Sequence, residues 1–316
     1  MAAVAYEVRN LRKTYSDPPV VANDGISFTC RVGEAFGLLG ANGAGKTTLV
    51  RQLVGSLLPT AGEIRLFGES VRPERNVGRL VSYLPQGMPS LGELRVGEAI
   101  RSVGMLRGLG KVIATAETEE LIAALQLGGI EDRPLRKLSG GQRRLVQIGM
   151  SLVCRLPVLI LDEPTADIDP ALRQRIWALI ADRARSGAAV ILVTHDVAEA
   201  ERVLDRVAIL DRGRVVAAGT PAELKADLAH RTRLEVVVAE PSSTNAIEIA
   251  RVIGDGAKID GRRVSGWVPA DDAVRMLEKL TSSFTAETFE DVRLVTPSLE
   301  DVYLELAGRH LEENAS

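Results

Sequence analysis

One stretch constrains the fold more than any other. Gly40–Thr48 reads GANGAGKTT, follows the apolar run AFGLLG, and leads into KTTLVRQLVGSL, where Leu49, Leu53 and Leu57 recur at helical spacing. A buried strand, a glycine loop and a helix must therefore follow one another without a break. Gly40 and Gly45 bracket four residues ahead of Lys46 and Thr47, the pattern G-x-x-x-x-G-K-[ST] in the strand-to-helix context that gives it meaning. Glycines let the backbone wrap so that successive N–H groups point inward, and the helix start adds its positive dipole end. Gly40, Asn42, Gly43, Ala44, Gly45, Lys46, Thr47 and Thr48 are thus candidate phosphate-binding residues. Lys46 is expected to reach the β and γ phosphates of a nucleotide and the Thr47 hydroxyl to ligate Mg²⁺. A plain glycine turn is the competing reading, and lysine and threonine both in register weigh against it.

Short alternating segments at Tyr6–Arg9 and Ile26–Arg31 predict strands ahead of the loop. Residues 86–137 are helical in character, with RVGEAIRSVGMLRGL and ETEELIAALQL, and read as a helical insertion into an α/β core. Beyond it, VLILDEP and AAVILVTHD are continuous apolar runs, each preceded by a helical stretch, as suits parallel strands covered on both faces. The texture changes at TPAELKADLAHR, so one domain is expected over residues 1–224 and a small α+β domain over 225–316. RLEVVVAE, GRRVSGWVP and FEDVRLV are its expected strands. TNAIEIARVIG, DDAVRMLEKLTSS and the closing PSLEDVYLELAG are its expected helices, the last with Leu299, Val302, Tyr303 and Leu306 on one face.

Further chemistry-bearing residues sit at predicted strand ends. VLILDE closes on Asp162 and Glu163, where the crevice of an open α/β sheet lies. Asp162 suits a Mg²⁺ contact, and Glu163 suits a general base that activates water for in-line attack. An acidic turn before Pro164 is the alternative for such a pair alone. His195 follows AAVILVT, and Gln86 follows VSYLP. Each is weak evidence alone, a structural histidine and a solvated turn glutamine being the ordinary cases. LSGGQ places Ser139, Gly140, Gly141 and Gln142 ahead of a helix whose Leu145, Ile148 and Leu152 share a face, a second anion-binding helix start or a plain serine cap.

Composition narrows the class. With 39 basic and 42 acidic residues the net charge is −3, which offers no broad basic surface for nucleic acid. Cys30 and Cys154 are the only cysteines, in no metal-ligating spacing. No run approaches the roughly 18 apolar residues of a membrane span, so any membrane role is expected to come through a partner.

Taken in order, the phosphate loop, the glutamine after VSYLP, LSGGQ, LILDE and the histidine resemble the ATP-binding cassette family from Tyr6 to about Leu224. The resemblance implies a P-loop α/β cassette with a helical subdomain at 86–137 and a signature motif at 138–142. In that family the signature of one subunit closes over the nucleotide held by the other, so it implies a homodimer or pseudo-symmetric cassette dimer on ATP and Mg²⁺. It implies that Tyr15 stacks on adenine, that Gln86 links Mg²⁺ to the helical insertion, that Glu163 is the catalytic base and that His195 contacts the γ-phosphate. Asp169 and Pro170 are kept, and Asp169 joins the nucleotide-binding set. PTADIDP departs from the family at Ala166, Asp167 and Ile168. THDVAEAERVLDRVAILDRGRVVAAGTP and the PSLEDVYLELAG tail resemble ATPase subunits of ABC-2 type exporters of drugs, antibiotics or lipid-like cargo. Such a subunit is cytoplasmic, held at the cytoplasmic face of the membrane by a separate transmembrane permease. A soluble cassette ATPase acting on ribosomes or DNA is the alternative.

Overall fold

The computed structural model describes residues 3–72, 77–87, 92–166, 168–194, 197–239, 243–254 and 256–313. Its strands are β1 (Val4–Ser16), β2 (Pro19–Arg31), β3 (Ala35–Leu39), β4 (Ala61–Leu66), β5 (Glu69–Ser70), β6 (Val81–Leu84), β7 (Val158–Asp162), β8 (Ala189–Thr194), β9 (Arg206–Asp211), β10 (Arg214–Gly219), β11 (Arg231–Val238), β12 (Lys258–Asp260), β13 (Arg263–Pro269) and β14 (Phe289–Val295). The helices are α1 (Lys46–Leu53), α2 (Val96–Leu106), α3 (Lys111–Ala124), α4 (Gly140–Leu152), α5 (Pro170–Arg185), α6 (Val197–Ala200), α7 (Pro221–Lys225), α8 (Ser243–Ile253), α9 (Ala273–Ser283) and α10 (Leu299–Glu313). The chain divides into two compact units, Met1–Pro221 and Ala222–Ser316.

In the first unit a six-stranded sheet has the order β10-β9-β3-β8-β7-β6, parallel except for the β9/β10 pair. β3, β7 and β8 are buried along their whole length, which is why they read as unbroken apolar runs. The parallel arrangement brings the C-terminal ends of β3, β6, β7 and β8 to one edge. Those ends carry the phosphate loop, Gln86, Glu163 and the approach to His195.

A second sheet, β2-β1-β4-β5, is antiparallel. Its β1/β2 hairpin is far longer than the two short strands expected from Tyr6–Arg9 and Ile26–Arg31, because DPPVVANDG reads as turn chemistry yet its Val20 and Val21 pair with Tyr15 and Thr14. Side chains of this sheet, β3 and α1 share one core, with Phe28 and Phe36 stacked at 5.1 Å and the Tyr6 hydroxyl donating to the Leu53 carbonyl at 2.9 Å. α1 stops at Leu53, so Leu57 lies beyond the helix. Gly55 turns left-handed there, and the amides of Ser56 and Leu57 both close on the Arg51 carbonyl. α2, α3 and α4 pack together as the helical part, α3 starting ahead of the ETEELIAALQL stretch that marks it in sequence.

The second unit is an antiparallel sheet of order β12-β13-β11-β14. Leu234, Val236, Val264 and Val268 meet Ile249 of α8 and Leu280 of α9 in its core. β12 has no signal in the sequence, being three exposed residues paired only to β13. α10 opens on a capping box: Asp301 Oδ2 accepts from the Ser298 amide at 2.8 Å and the Asp301 amide donates to Ser298 Oγ at 3.2 Å. Arg233 of β11 pairs with Asp301 at 2.8 Å and fixes that cap to the sheet.

Candidate functional site

The phosphate loop is shaped by its surroundings as well as by its own glycines. Gly45 sits at φ 96°, and a Cβ there would lie 2.2 Å from the Ala22 carbonyl oxygen. Asn23, fully buried on β2, donates to the Gly45 carbonyl at 3.1 Å and accepts from Gln52 of α1 at 2.7 Å. The hairpin thus braces the loop from below. The first closing bond of α1 runs from the Leu49 amide to the Gly45 carbonyl at 3.0 Å, so the amides of Lys46, Thr47 and Thr48 have no acceptor within the helix. They are the donors a phosphate can take. The Ala44 amide, by contrast, is spent inside the loop on Ala41 at 3.2 Å.

Lys46 is buried and folds back along the loop, donating to the carbonyls of Gly40 at 2.6 Å and Ala41 at 2.9 Å. An ammonium has three N–H donors, so one remains for the cleft. Burial lowers its pKa, and the charges of Glu163 and Asp162 pull it back up.

An open cleft of about 410 Å³ is lined by Asn42, Gly43, Gly45, Lys46, Thr47 and Thr48, and also by Gln86, Asp162 and Glu163. Residues more than a hundred positions apart therefore share one wall. Gly40 and Ala44 shape the loop without lining the cleft. Burial, with Glu163 beside it, pushes the Asp162 carboxyl up to about 6, against the opposing pull of Lys46 and Arg144. Glu163 sits at φ 51°, a left-handed position that costs a side-chain-bearing residue on the order of 1 kcal/mol or more. The strain is held by its amide, which donates to Val193 at 2.8 Å, and its carboxylate, which accepts from Thr194 Oγ1 at 3.1 Å.

The second glycine cluster has a different construction. Ser139 caps α4, its Oγ accepting from the Gln142 amide at 3.2 Å while Gln142 Oε1 accepts from the Ser139 amide at 3.2 Å. Ser139 and Gly140 are exposed, and a Cβ on Gly140 would meet nothing within 4 Å. Asp169 caps α5, accepting from the Ala171 amide at 2.9 Å with Pro170 at the first helical position. Tyr15 lies on β1 and is not among the cleft-lining residues, whereas its cross-strand partner Val20 is. His195 and Asp167 lie outside the described residues.

Comparison with known proteins now decides the family. A model of the family described as ABC transporter matches residues 23–166. The chain is 33% identical, over 97% of its length and 94% of the other's, to Nod factor export ATP-binding protein I of Ralstonia nicotianae. It is 35% identical, over 95% of its length and 93% of the other's, to doxorubicin resistance ATP-binding protein DrrA of Mycobacterium tuberculosis. The chain belongs to the ATP-binding cassette transporter family.

Among solved structures, an ATP-binding subunit of an ABC transporter matches with TM-score 0.66 and 28% identity, over 71% of this chain and 93% of that one. Another match is cbiO1 of Clostridium perfringens, part of an ABC transporter complex, with TM-score 0.63 and 28% identity over 72% of this chain and 92% of that one. The cassette is thus an ABC ATPase. Among the described residues no helix is long and apolar enough to cross a membrane.

The donor set in the cleft fits Mg²⁺. Thr47 hydroxyl, the Gln86 amide oxygen and Asp162 are hard oxygen donors, and Asp162 Oδ2 is buried with no hydrogen-bond partner. Among the described residues no group of three His, Cys, Asp or Glu side chains could hold a metal ion.

Two kinds of site residue escape sequence reasoning. Val20, Val21, Ala22 and Arg212 line the cleft from segments that carry no phosphate-binding or catalytic motif. Arg144 is 7% exposed and bonded to the backbone of both carboxylate residues, at 2.5 and 2.6 Å. Its signal was available: a cation four residues before Ile148, inside the apolar stripe of a helix.

Proposed function

We propose that this chain is the ATPase subunit of an exporter, acting as a two-fold cassette dimer beneath a separate transmembrane permease and so held at the cytoplasmic face of the membrane. The observation that carries the reading is the convergence of the phosphate loop, Gln86, Asp162 and Glu163 on one cleft, while Ser139 and Gly140 stand open on the surface. One helix start serves the chain's own ATP. The other serves the ATP of a second cassette, which makes the interface isologous.

In this reading Lys46 and the amides of Lys46, Thr47 and Thr48 hold the β and γ phosphates. Thr47, Gln86 and Asp162 hold Mg²⁺, which when bound neutralises charge on the phosphate oxygens. Glu163 orients a water and takes its proton as the water oxygen bonds to the γ-phosphorus. The bond from that phosphorus to the β-phosphate oxygen breaks, giving ADP and inorganic phosphate. Thr194 keeps the Glu163 carboxylate in place from the end of β8, and His195 contacts the γ-phosphate. Tyr15 stacks on the base from the hairpin, and Asp169 caps α5 beside the nucleotide. Residues 225–316 form a separate C-terminal domain.

The cargo class is drug, antibiotic or lipid-like. It rests on relatives whose names specify doxorubicin or daunorubicin resistance and Nod factor export, matched along almost the whole of this chain.

The test is affinity purification of the tagged Glu163→Gln chain from detergent-solubilised native cells in Mg-ATP, with mass spectrometry of what accompanies it. A stoichiometric polytopic membrane protein is expected, lost when residues 92–137 are altered in a chain that still binds ATP. Ribosomal or DNA-bound partners, with no membrane protein across several detergents, would overturn the exporter reading in favour of a soluble clamp.

A further inference from the structure

Arg144 lies in the first turns of α4, and Ile148 and Leu152, four and eight residues on, are buried on the same stripe. A guanidinium placed there must find acceptors for its N–H groups or forfeit its hydration. Nη1 donates to the Pro85 carbonyl at 2.8 Å and to Gln147 Oε1 at 2.9 Å, and Nη2 donates to the carbonyls of Asp162 at 2.5 Å and Glu163 at 2.6 Å. Three of these four acceptors are backbone oxygens at the ends of β6 and β7. They belong to the residue just before Gln86 and to both carboxylate residues of the cleft.

The consequence for Glu163 is direct. Its left-handed backbone persists only if neighbours over-determine it. The Val193 carbonyl holds its amide, and Arg144 holds its carbonyl. The same side chain is rooted in the helix that begins at Ser139. In the cassette dimer that helix start faces the second chain's ATP, while the guanidinium holds this chain's own hydrolytic residues.

We propose that Arg144 is a positioning residue that joins the seating of α4 to the placement of Gln86, Asp162 and Glu163, so that each ATP site feels the occupancy of the other. The inference rests on the dimer reading above and adds to it the atom group that connects the two sites. Arginine is needed because a planar fork spans carbonyls on two strands at once. A lysine carries the charge but reaches as a single point.

The experiment measures steady-state Mg-ATP hydrolysis, Mg-ATP affinity and melting temperature on the full chain. Arg144→Lys is expected to lower kcat about tenfold or more with KM changed by less than about threefold and Tm by less than about 3 °C. Gln147→Ala, which removes only the side-chain acceptor, is expected to keep kcat within about twofold. A kcat for Arg144→Lys near that of the unaltered chain, with Glu163→Gln inactive beside it, would overturn the proposal and leave the dimer reading standing. A loss that tracks rising KM and falling Tm, or one reproduced by Gln147→Ala, would reduce Arg144 to a fold-stabilising residue. Undiminished turnover in Ser139→Arg would remove the dimer reading, and with it the coupling.

Discussion

The two helix starts that carry glycine clusters are built on opposite principles. At the first, nothing in the helix caps itself: α1 begins on a left-handed Gly45 with no side-chain cap, and the loop is held by the hairpin strand and by Lys46 folded over it. At the second, α4 carries its own side-chain cap, a reciprocal box between Ser139 and Gln142. Gly45 is required by this chain's own packing, since any Cβ would strike the Ala22 carbonyl. Among the described residues nothing requires Gly140, because space is open where its Cβ would be. An exposed glycine with open space at its Cβ leaves room for a close approach from outside. The dimer proposed above supplies it.

Four substitutions break or sharpen that contrast. The largest effect is expected from Glu163→Gln at the first site, which keeps Mg-ATP binding but lowers kcat by about a hundredfold or more, since the base is lost while the phosphate grip remains. Steady-state assay beside equilibrium binding of a fluorescent nucleotide checks it, and near-normal turnover would remove Glu163 from its role. Next comes Gly45→Ala. The added Cβ must displace the hairpin backbone, at a cost of about 2 kcal/mol or more, so Tm falls by about 5 °C and nucleotide affinity falls with it. An unchanged melting curve would mean the loop is not braced from β2. Gly140→Ala should do the reverse, leaving Tm within about 1 °C while ATP-dependent dimer, read by light scattering in the Glu163→Gln background, is weakened several-fold. Equal losses of stability and dimer would erase the contrast. The smallest effect is that of Ser139→Ala, which removes one capping acceptor worth about 1 kcal/mol and lowers Tm by about 2–4 °C. Differential scanning calorimetry resolves it.

Both helix starts, the buried strands and the order of the chemistry-bearing residues were legible in the sequence, because each rests on local pattern. AFGLLG, VLILD and AVILVT are apolar without interruption since helices or sheet cover both faces, and the strand ends follow where polarity returns. The joint position of Lys46, Gln86, Asp162 and Glu163 was legible only through the order of motifs, as no single one implies the others. The hairpin extension was not legible, because Val20 and Val21 are strand residues by virtue of their partners across the ladder, amid residues that favour turns. Arg144 was half legible: its place on the apolar stripe of α4 signals a buried cation, but its backbone acceptors lie 59, 18 and 19 positions away, and carbonyls carry no sequence signal. The helical spacing overruns the end of α1, because Leu57 continues the period while Gly55 interrupts the backbone, and backbone conformation wins over spacing.

The bracing of the loop by β2 bears on protein engineering. The nine-residue motif looks portable, a cassette to be grafted between any strand and helix. Its shape here is written partly in Ala22 and Asn23, about two dozen positions upstream, and in the turn at Gly213, whose amide donates to the Ala44 carbonyl at 3.1 Å. A transplant that carries only Gly40–Thr48 would leave its mould behind, and the recipient would receive the letters of a phosphate grip without its form.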